Sequence, residues 1–220
     1  MKHIDWSSFF TDILSVVLGI AITFGIQGLI DRGNEKKDVR SALELVRDEL
    51  SNNTENLQEV MALIASEKRS AQSLRDNAGK LDKCPVDSVV VWNSCVGSEY
   101  FFTVTVDALE LLKSSSLFQK INDKNLALSI IRAYDLIEAD AKAFNSHEQY
   151  KISLFMDANT DKAKKASLVN DGLAFFKVFY SSPEADYFLK SVVEMSDDTF
   201  ISSNIPEIES TIAGISARLK

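Results

Sequence analysis

A run of uncharged residues near the amino terminus constrains this chain more than any other feature. The run occupies positions 13–30 and reads ILSVVLGIAITFGIQGLI. A helix of this length rises about 27 Å, close to the thickness of the hydrocarbon core of a bilayer. Asp12 and Asp31 place charges at its edges, and Trp6 precedes it, where interfacial aromatic residues are common. The pattern predicts an N-terminal tail and transmembrane anchor over residues 1–32, with the lipid bilayer as a partner.

Two other interpretations of this run fit less well. A cleaved signal peptide begins with a basic region and ends at a small-x-small site, whereas Asp5 and Asp12 interrupt the start and no such site follows. A buried helix of a globular protein is usually shorter, or is interrupted by charged residues. The transmembrane interpretation is therefore favoured.

One side of the predicted anchor carries small and polar residues at every fourth position. Stripes of this kind let transmembrane helices approach closely, which predicts self-association into a homo-oligomer. Alternatively, the stripe lines a pore built from several copies, or it faces lipid without any partner. Its residues are Ser15, Gly19, Thr23 and Gln27.

Residues 33–220 are expected to form one helical domain. Hydrophobic residues make up 45% of the chain, and only 8 Gly and 3 Pro interrupt it, a composition that favours helices. The fold class is mainly α: the anchor continues into a long amphipathic, stalk-like helix over about 35–80, a cysteine loop spans 84–95, and an all-helical bundle follows over about 100–220. Short strands at 89–92 and 100–106 are the alternative to irregular structure there.

The predicted stalk carries a heptad pattern, with apolar residues alternately four and three positions apart. Asn53 falls on this seam, where a buried polar residue can fix the register of helix packing. The seam either pairs with a second copy of the chain or packs against later helices of its own chain. Its residues are Val39, Leu43, Val46, Leu50, Asn53, Leu57, Val60 and Ile64.

Several helix boundaries carry local signals. Asn122 and Asp123 predict the start of a long helix through Phe144 and onward, and Ser182 before Pro183 predicts another. Further helices are predicted over 104–113 and 161–180. The sequence Asn204-Ile-Pro-Glu207 resembles a capping box and predicts that the last helix begins there.

Membrane orientation is predicted differently by basic residues and by cysteines. Arg32, Lys36 and Lys37 follow the run, so the positive-inside rule slightly favours the cytoplasmic side of a bacterial inner membrane. The spacing of Cys84 and Cys95 permits a disulfide, which would require the oxidising periplasmic side, whereas two free thiols would not.

Residue patterns that carry chemistry are absent from the sequence. It has no Gly-rich phosphate loop, no nucleophile elbow and no CxxC pair, so no catalytic, cofactor-binding or metal residues are predicted and an enzyme is not expected. His147 and Glu148 would ligate a metal only with distant partners. A net charge of -8 argues against nucleic acid as a partner.

Two segments resemble a family of uncharacterised bacterial single-pass membrane proteins. The first is DILSVVLGIAI at 12–22, in which an acidic residue opens a Val-Val-x-Gly-Ile anchor. The second is ALELLKSS at 108–115, followed by INDKNL at 121–126 and AY at 133–134. The resemblance implies one membrane helix and a helical domain of unknown function, and it implies no catalytic residues.

Together these patterns predict a membrane-anchored helical scaffold or interaction protein that self-associates. The alternative is a membrane effector or pore-forming subunit, in which the helical domain senses a signal and rearranges the anchors.

Overall fold

The computed structural model describes the backbone of residues 6–166, 173–196 and 199–220, and side chains from residue 34 onward except 162–163, 166–172 and 197–200. The described backbone is mainly helical and contains no strand, which confirms the mainly α class. The helices are α1 (Trp6–Asn77), α2 (Val86–Gly97), α3 (Asp107–Ser114), α4 (Leu117–Lys120), α5 (Lys124–Ala158), α6 (Asp161–Ala166), α7 (Ala174–Tyr180), α8 (Pro183–Met195) and α9 (Thr199–Leu219), with a 3₁₀ turn at Ala78–Lys83.

The predicted anchor lies within the 72-residue helix α1. Among the residues searched, which are those the structure describes, no helix is long and apolar enough to cross a membrane. The side chains of 13–30, including the predicted stripe of Ser15, Gly19, Thr23 and Gln27, lie outside the described residues. The anchor therefore remains a prediction from the sequence.

The part of α1 after residue 34 lies at the centre of the bundle and is not a separate stalk. Its seam is buried against other helices of the same chain: Val46, Leu50 and Leu57 are fully buried, and only Val39 is partly exposed. The same spacing continues through Glu67, beyond the predicted seam. In the structure, the seam thus packs against later helices of its own chain, which is one of the two predicted arrangements. These residues are therefore not free to pair with a second copy.

Two apolar cores lie one above the other along α1 and α5. We call the first the base core. It joins residues 42–64 of α1 to α3, to the first part of α5 and to α9. Ile130 and Phe144 are among its buried side chains. We call the second the tip core; it joins the end of α1 to α2, the end of α5, α7 and α8, with Leu74 and Phe188 among its buried members. Burial of these apolar side chains is the main stabilising contribution to the bundle.

Helix α5 runs parallel to α1, because residues further along one helix contact residues further along the other. Tyr134 bonds to Glu49 and Lys151 bonds to Glu67. The start of α5 follows the predicted signal, since Asp123 Oδ1 accepts hydrogen bonds from the N–H groups of Asn125 and Leu126, each at 3.1 Å. Such a cap satisfies amides that have no partner inside the helix.

Two local predictions were wrong. The segment at 89–92 is neither loop nor strand but part of α2, because Val89 and Val96 on one helical face fill the tip core. The last helix begins at Thr199, not at Asn204, and contains Pro206 in its interior. Asn204 does not cap a helix, because its side-chain amide donates to the buried Asp140 at 2.8 Å.

Candidate functional site

Four ionisable residues from α1 and α5 meet in the interior of the bundle. Glu67 lies on α1, and His147, Glu148 and Lys151 lie on α5. The exposed fractions of the side chains are 2% for Glu67, 0% for Glu148, 0% for Lys151 and 12% for His147. Charged side chains are almost never this buried unless they are paired, so the arrangement requires a specific explanation. We call these four residues the ion cluster.

The Lys151 ammonium lies at the centre of the ion cluster. Its Nζ donates to Glu148 Oε1 at 2.9 Å and to Glu148 Oε2 at 2.8 Å, and it also bonds to Glu67 Oε1. His147 Nε2 lies 3.3 Å from Glu67 Oε2 and 3.7 Å from Glu148 Oε1. Two carboxylates thus share one ammonium group, and the imidazole of His147 lies beside both of them.

The protonation of Glu148 is set by opposing influences. Burial raises the pKa of this carboxyl group, and the nearby Glu67 carboxylate raises it further. The Lys151 ammonium and the N–H of Tyr100 act in the opposite direction and lower the pKa, but burial outweighs them. The Glu148 carboxyl group therefore binds a proton more readily than an exposed carboxyl group does.

The ion cluster also offers three ligand atoms to a metal. Atoms of Glu67, His147 and Glu148 all lie within 4.8 Å of one another, so Glu67 is the distant partner that the sequence could not identify. However, the Lys151 ammonium already contacts both carboxylates, as a metal ion would. A divalent cation would have to displace this ammonium and leave it buried without a partner, which is costly. The residues therefore fit an internal lysine better than a metal ion.

A segment without regular structure, residues 98–106, passes over α1 and α5 close to the ion cluster. We call it the strap. The N–H of Tyr100 donates to Glu148 Oε2 at 2.9 Å, which ties the strap to the ion cluster itself. The Tyr100 ring lies over Lys151, with 5.8 Å between Nζ and the ring centroid, a favourable cation–π distance.

Two asparagine side chains hold the strap. Each makes a pair of hydrogen bonds to one strap residue, as the backbone of an adjacent β-strand would. Asn145 accepts from the N–H of Phe102 and donates to its carbonyl oxygen, both at 2.9 Å. Asn53 accepts from the N–H of Thr105 at 3.1 Å and donates to its carbonyl oxygen at 2.8 Å. The sequence predicted that Asn53 fixes the register of helix packing; in the structure its side chain bonds to the backbone of the strap instead.

Glu49 completes this hydrogen-bond network at the end of the strap. Its two carboxylate oxygens accept from the N–H of Ala108 at 3.1 and 3.0 Å, in the first turn of α3. The Tyr134 hydroxyl donates to the same carboxylate at 2.5 Å. A carboxylate at the amino-terminal end of a helix also interacts favourably with the helix dipole.

The ion cluster lies between the two apolar cores. On α1, Glu67 separates Ile64 of the base core from Ala71 of the tip core. On α5, Glu148 and Lys151 occupy the interval between the two cores in the same way. The cluster is therefore a polar layer inside the bundle, too enclosed for a substrate to reach Lys151 or Glu148.

A further buried carboxyl group, that of Asp140, lies outside the ion cluster and nearer the start of α5. Asp140 Oδ1 accepts a hydrogen bond from Asn204, but its Oδ2 has no hydrogen-bond partner among the described residues. Burial raises the pKa of Asp140, and the hydrogen bond from Asn204 opposes this only in part. Its carboxylate form is thus a destabilising element of the native bundle.

Cys84 and Cys95 are both free in the structure, so the disulfide that their spacing permits is not formed. The reason is local: Cys95 lies in the third turn of α2, about 14 Å of helical rise from the start of that helix. Cys84 Sγ lies 3.8 Å from the carbonyl oxygen of Lys80, and Cys95 Sγ lies 3.7 Å from the hydroxyl of Ser66. The alternative of two unpaired thiols is the one the structure contains.

Sequence patterns missed the ion cluster because its members are far apart in the chain. Glu67 and Lys151 are separated by 84 residues. A signal for it nevertheless existed, since Glu67 continues the heptad spacing of the seam, and Glu148 and Lys151 lie between Phe144 and Leu154 on the apolar face of α5. Charged residues at such positions are buried with partners.

Comparison with known proteins adds no relative. No protein-family model, no curated protein and no solved structure matches the chain. The resemblance of 12–22 and 108–115 to uncharacterised single-pass proteins therefore remains a prediction.

Proposed function

We propose that this protein is a membrane-anchored helical interaction module. One observation carries the proposal: α1 contains both the uncharged run at 13–30 and the residues at the centre of the bundle. A flexible linker between anchor and domain would leave the bundle free to tumble at the membrane. A continuous helix instead holds it at a set position, as expected of a module that presents a surface near a bilayer.

The charge distribution supports a cytoplasmic position for the bundle. Arg32, Lys36, Lys37 and Arg40 follow the uncharged run, whereas Lys2 is the only basic side chain that is not histidine before it. The cysteines no longer argue against this orientation, because neither is engaged in a disulfide. The proposed site is thus the cytoplasmic face of a bacterial inner membrane.

A candidate surface for a partner lies on α2. Val86, Val90 and Val91 are 49%, 43% and 57% exposed; helical spacing places Val86 and Val90 on one side of α2, and Val91 lies about 100° around the helix axis from Val90. Apolar side chains grouped on one helix face often mark sites of protein–protein contact. Self-association is proposed to use the stripe from Ser15 to Gln27, because the seam from Val39 to Ile64 is occupied by the chain's own helices.

The proposal is tested by extraction and cross-linking of the full chain from cells. We expect the protein to stay with membranes in alkaline carbonate, to be released when 13–30 is deleted, and to form cross-linked multimers in mild detergent. Substituting Val86, Val90 and Val91 with serine should reduce recovery of partner proteins, whereas Leu128→Ser, at an exposed apolar position on α5, should leave recovery unchanged. Extraction by carbonate would disprove the anchor, and monomers without any partner would disprove the interaction role.

A second candidate is a membrane effector whose bundle senses a signal and rearranges its anchors as a pore. One observation favours it: Glu67, an ionisable residue in the interior, lies on the same helix as the predicted anchor. This idea predicts that overexpression depolarises cells, and that Gln27→Leu or Thr23→Val changes the depolarisation. An unaltered membrane potential on overexpression would eliminate it.

A further inference from the structure

A cleft opens at the base of the bundle, at the end from which α1 leads to the predicted anchor. It lies between α1, the turn that joins α4 to α5, and the end of α9, and its volume is about 310 Å³. This volume is at the lower end of the range for small-ligand pockets, roughly 300 to 1,000 Å³. Its apolar lining consists of Val39, Leu43, Ile121, Leu126 and Leu219.

Basic side chains surround this apolar floor. The lining includes Lys36, Arg40, Lys120 and Arg218 against two acidic residues, Glu35 and Asp123. The three chain segments that meet here, 34–43, 117–126 and 213–220, carry seven Lys or Arg and three Asp or Glu, in a chain with a net charge of -8. Positive charge is thus concentrated at one end of an otherwise acidic protein.

The basic side chains of the cleft remain available to an incoming anion. Lys36 is exposed and has no ion-pair partner among the described residues. Lys120 pairs with Glu35 at 2.8 Å, and Arg40 pairs with Glu44 at 3.3 Å. Arg218 pairs with Asp123, and all six of these side chains are substantially exposed. Exposed ion pairs are weak, so a phosphate group can replace the carboxylate partner at little cost.

The position of the cleft relative to the predicted anchor suits a lipid headgroup. Lys36 lies six residues after Ile30, which is about 9 Å along a helix. The headgroup layer extends roughly 5 to 8 Å beyond the hydrocarbon core on each side. If 13–30 spans the core, the cleft therefore opens just outside the headgroup layer, where long Lys and Arg side chains can reach back to the lipid phosphates; this step rests on the proposed membrane anchor.

We propose that the cleft binds the headgroup of an anionic phospholipid and docks the base of the bundle onto the bilayer. The cationic rim binds the phosphate, and the apolar floor accepts the carbon atoms attached to it. Free inorganic phosphate would use the rim alone, which leaves the five apolar residues without a role. Basic residues close to an anionic bilayer surface add to the attraction.

The test uses the full chain in nanodiscs of phosphatidylcholine, with or without one-third phosphatidylglycerol. A fluorophore is attached at Gln119→Cys, beside the cleft, in a background with Cys84→Ser and Cys95→Ser, and a spin-labelled lipid headgroup serves as quencher. The test variant carries Gln in place of Lys36, Arg40, Lys120 and Arg218. The matched control carries Gln in place of Lys68, Arg69, Arg75 and Lys80, near the other end of α1, with the same change in net charge.

We expect quenching to be several-fold stronger in the anionic discs, to be lost in the test variant and to persist in the control. Lys36→Gln alone breaks no ion pair among the described residues, so it should weaken quenching without any effect on folding. Equal quenching in both kinds of disc, equal loss in both variants, or competition by inorganic phosphate beyond that of chloride at the same ionic strength would overturn the proposal. Failure of the chain to enter discs at all would instead overturn the anchor.

Discussion

At the scale of single residues, the interior of this bundle is unusual for its ionisable side chains. Lys151 pairs with two buried carboxylates at once, and Asp140 has only one amide partner for its two oxygens. Buried ion networks of this kind seldom add stability relative to apolar residues, although losing one member is costly. Replacing Lys151 should therefore lower the free energy of unfolding, whereas replacing Asp140 should raise it.

Replacing Lys151 with methionine should destabilise the protein strongly. The substitution leaves Glu67 and Glu148 buried and facing each other without a cation, which costs on the order of 3 to 5 kcal/mol. Urea unfolding at neutral pH measures this loss. The deficit should shrink as the pH falls from neutral towards about 4, because the buried carboxyl groups left without a cation become protonated over that range.

The control for Lys151→Met is Lys142→Met, an exposed position on the same helix. Adding Glu67→Gln and Glu148→Gln to Lys151→Met removes the unpaired charges and should restore most of the lost stability. A mild effect of Lys151→Met alone would show that the carboxylates do not depend on this ammonium.

Asp140→Asn should stabilise the protein at neutral pH, by about 1 kcal/mol, because it removes a buried negative charge that no cation among the described residues offsets. The pKa of Asp140 is raised in the native state, so the native protein binds more protons than the unfolded chain between the two pKa values. The stability that protonated Asp140 contributes is therefore present at low pH and lost as the pH rises through the native-state pKa.

Thermal unfolding of Asp140→Asn across a pH series measures this difference. The variant should exceed the wild type above the native-state pKa of Asp140 and match it below about pH 4, where the unfolded carboxyl group is also protonated. Asp135→Asn, an exposed position on the same helix, should show no such trend. A variant less stable than the wild type at every pH would contradict the interpretation.

At the scale of elements, the strap depends on side chains that act as backbone partners. Asn53 and Asn145 each make a pair of hydrogen bonds to one strap residue. Glu148 accepts from Tyr100 near the start of the strap, and Glu49 accepts from Ala108 in α3, just after its end. No strand among the described residues lies beside this segment. Its order should therefore depend on a few polar contacts more than on its own sequence.

Asn53→Ala should loosen the strap while α1 stays helical. The substitution removes two hydrogen bonds and leaves the N–H and carbonyl groups of Thr105 without that partner, at a cost of about 2 kcal/mol. Hydrogen exchange followed by mass spectrometry should show faster exchange over 98–106. Asn52→Ala, one residue earlier and exposed, is the matched control; equal effects of the two substitutions would mean that Asn53 does not hold the strap.

Local sequence signals predicted the start of α8 correctly but the start of α9 wrongly, and the hydrogen-bond partners explain the difference. Ser182 caps α8 as expected, because its hydroxyl accepts from the N–H of Ala185, only three residues away. Asn204 carries an equally suggestive pattern but bonds to Asp140, 64 residues away. The ion cluster was missed for the same reason, since its pairing is set by the packing of α1 on α5, which no local spacing encodes.

At the scale of the whole molecule, two apolar cores share two long helices. Both α1 and α5 pass through the base core, the ion cluster and the tip core. Neither core can lose its packing without disturbing helices that also belong to the other. The bundle should thus unfold as one cooperative unit in spite of the polar layer in its middle.

Substitutions in either core should lower the same unfolding transition. Ile130→Ala in the base core and Phe188→Ala in the tip core each remove a fully buried side chain, at a cost of about 2 to 5 kcal/mol. Hydrogen exchange in α8 and in α9 should become faster to a similar extent in both variants. Two separate transitions, with Phe188→Ala affecting only the tip, would show that the ion cluster divides the bundle into independent units.

The continuity of α1 has a consequence for rotation. Each residue of an α-helix turns the chain by about 100° and advances it by about 1.5 Å. Because α1 runs without a break from Trp6 to Asn77, the direction in which the basic cleft faces is set by the number of residues between it and the stripe from Ser15 to Gln27. One residue inserted at Gly33 would turn the bundle by more than a quarter circle while leaving its cores intact, and any twist of the amino-terminal half would reach the bundle as torque.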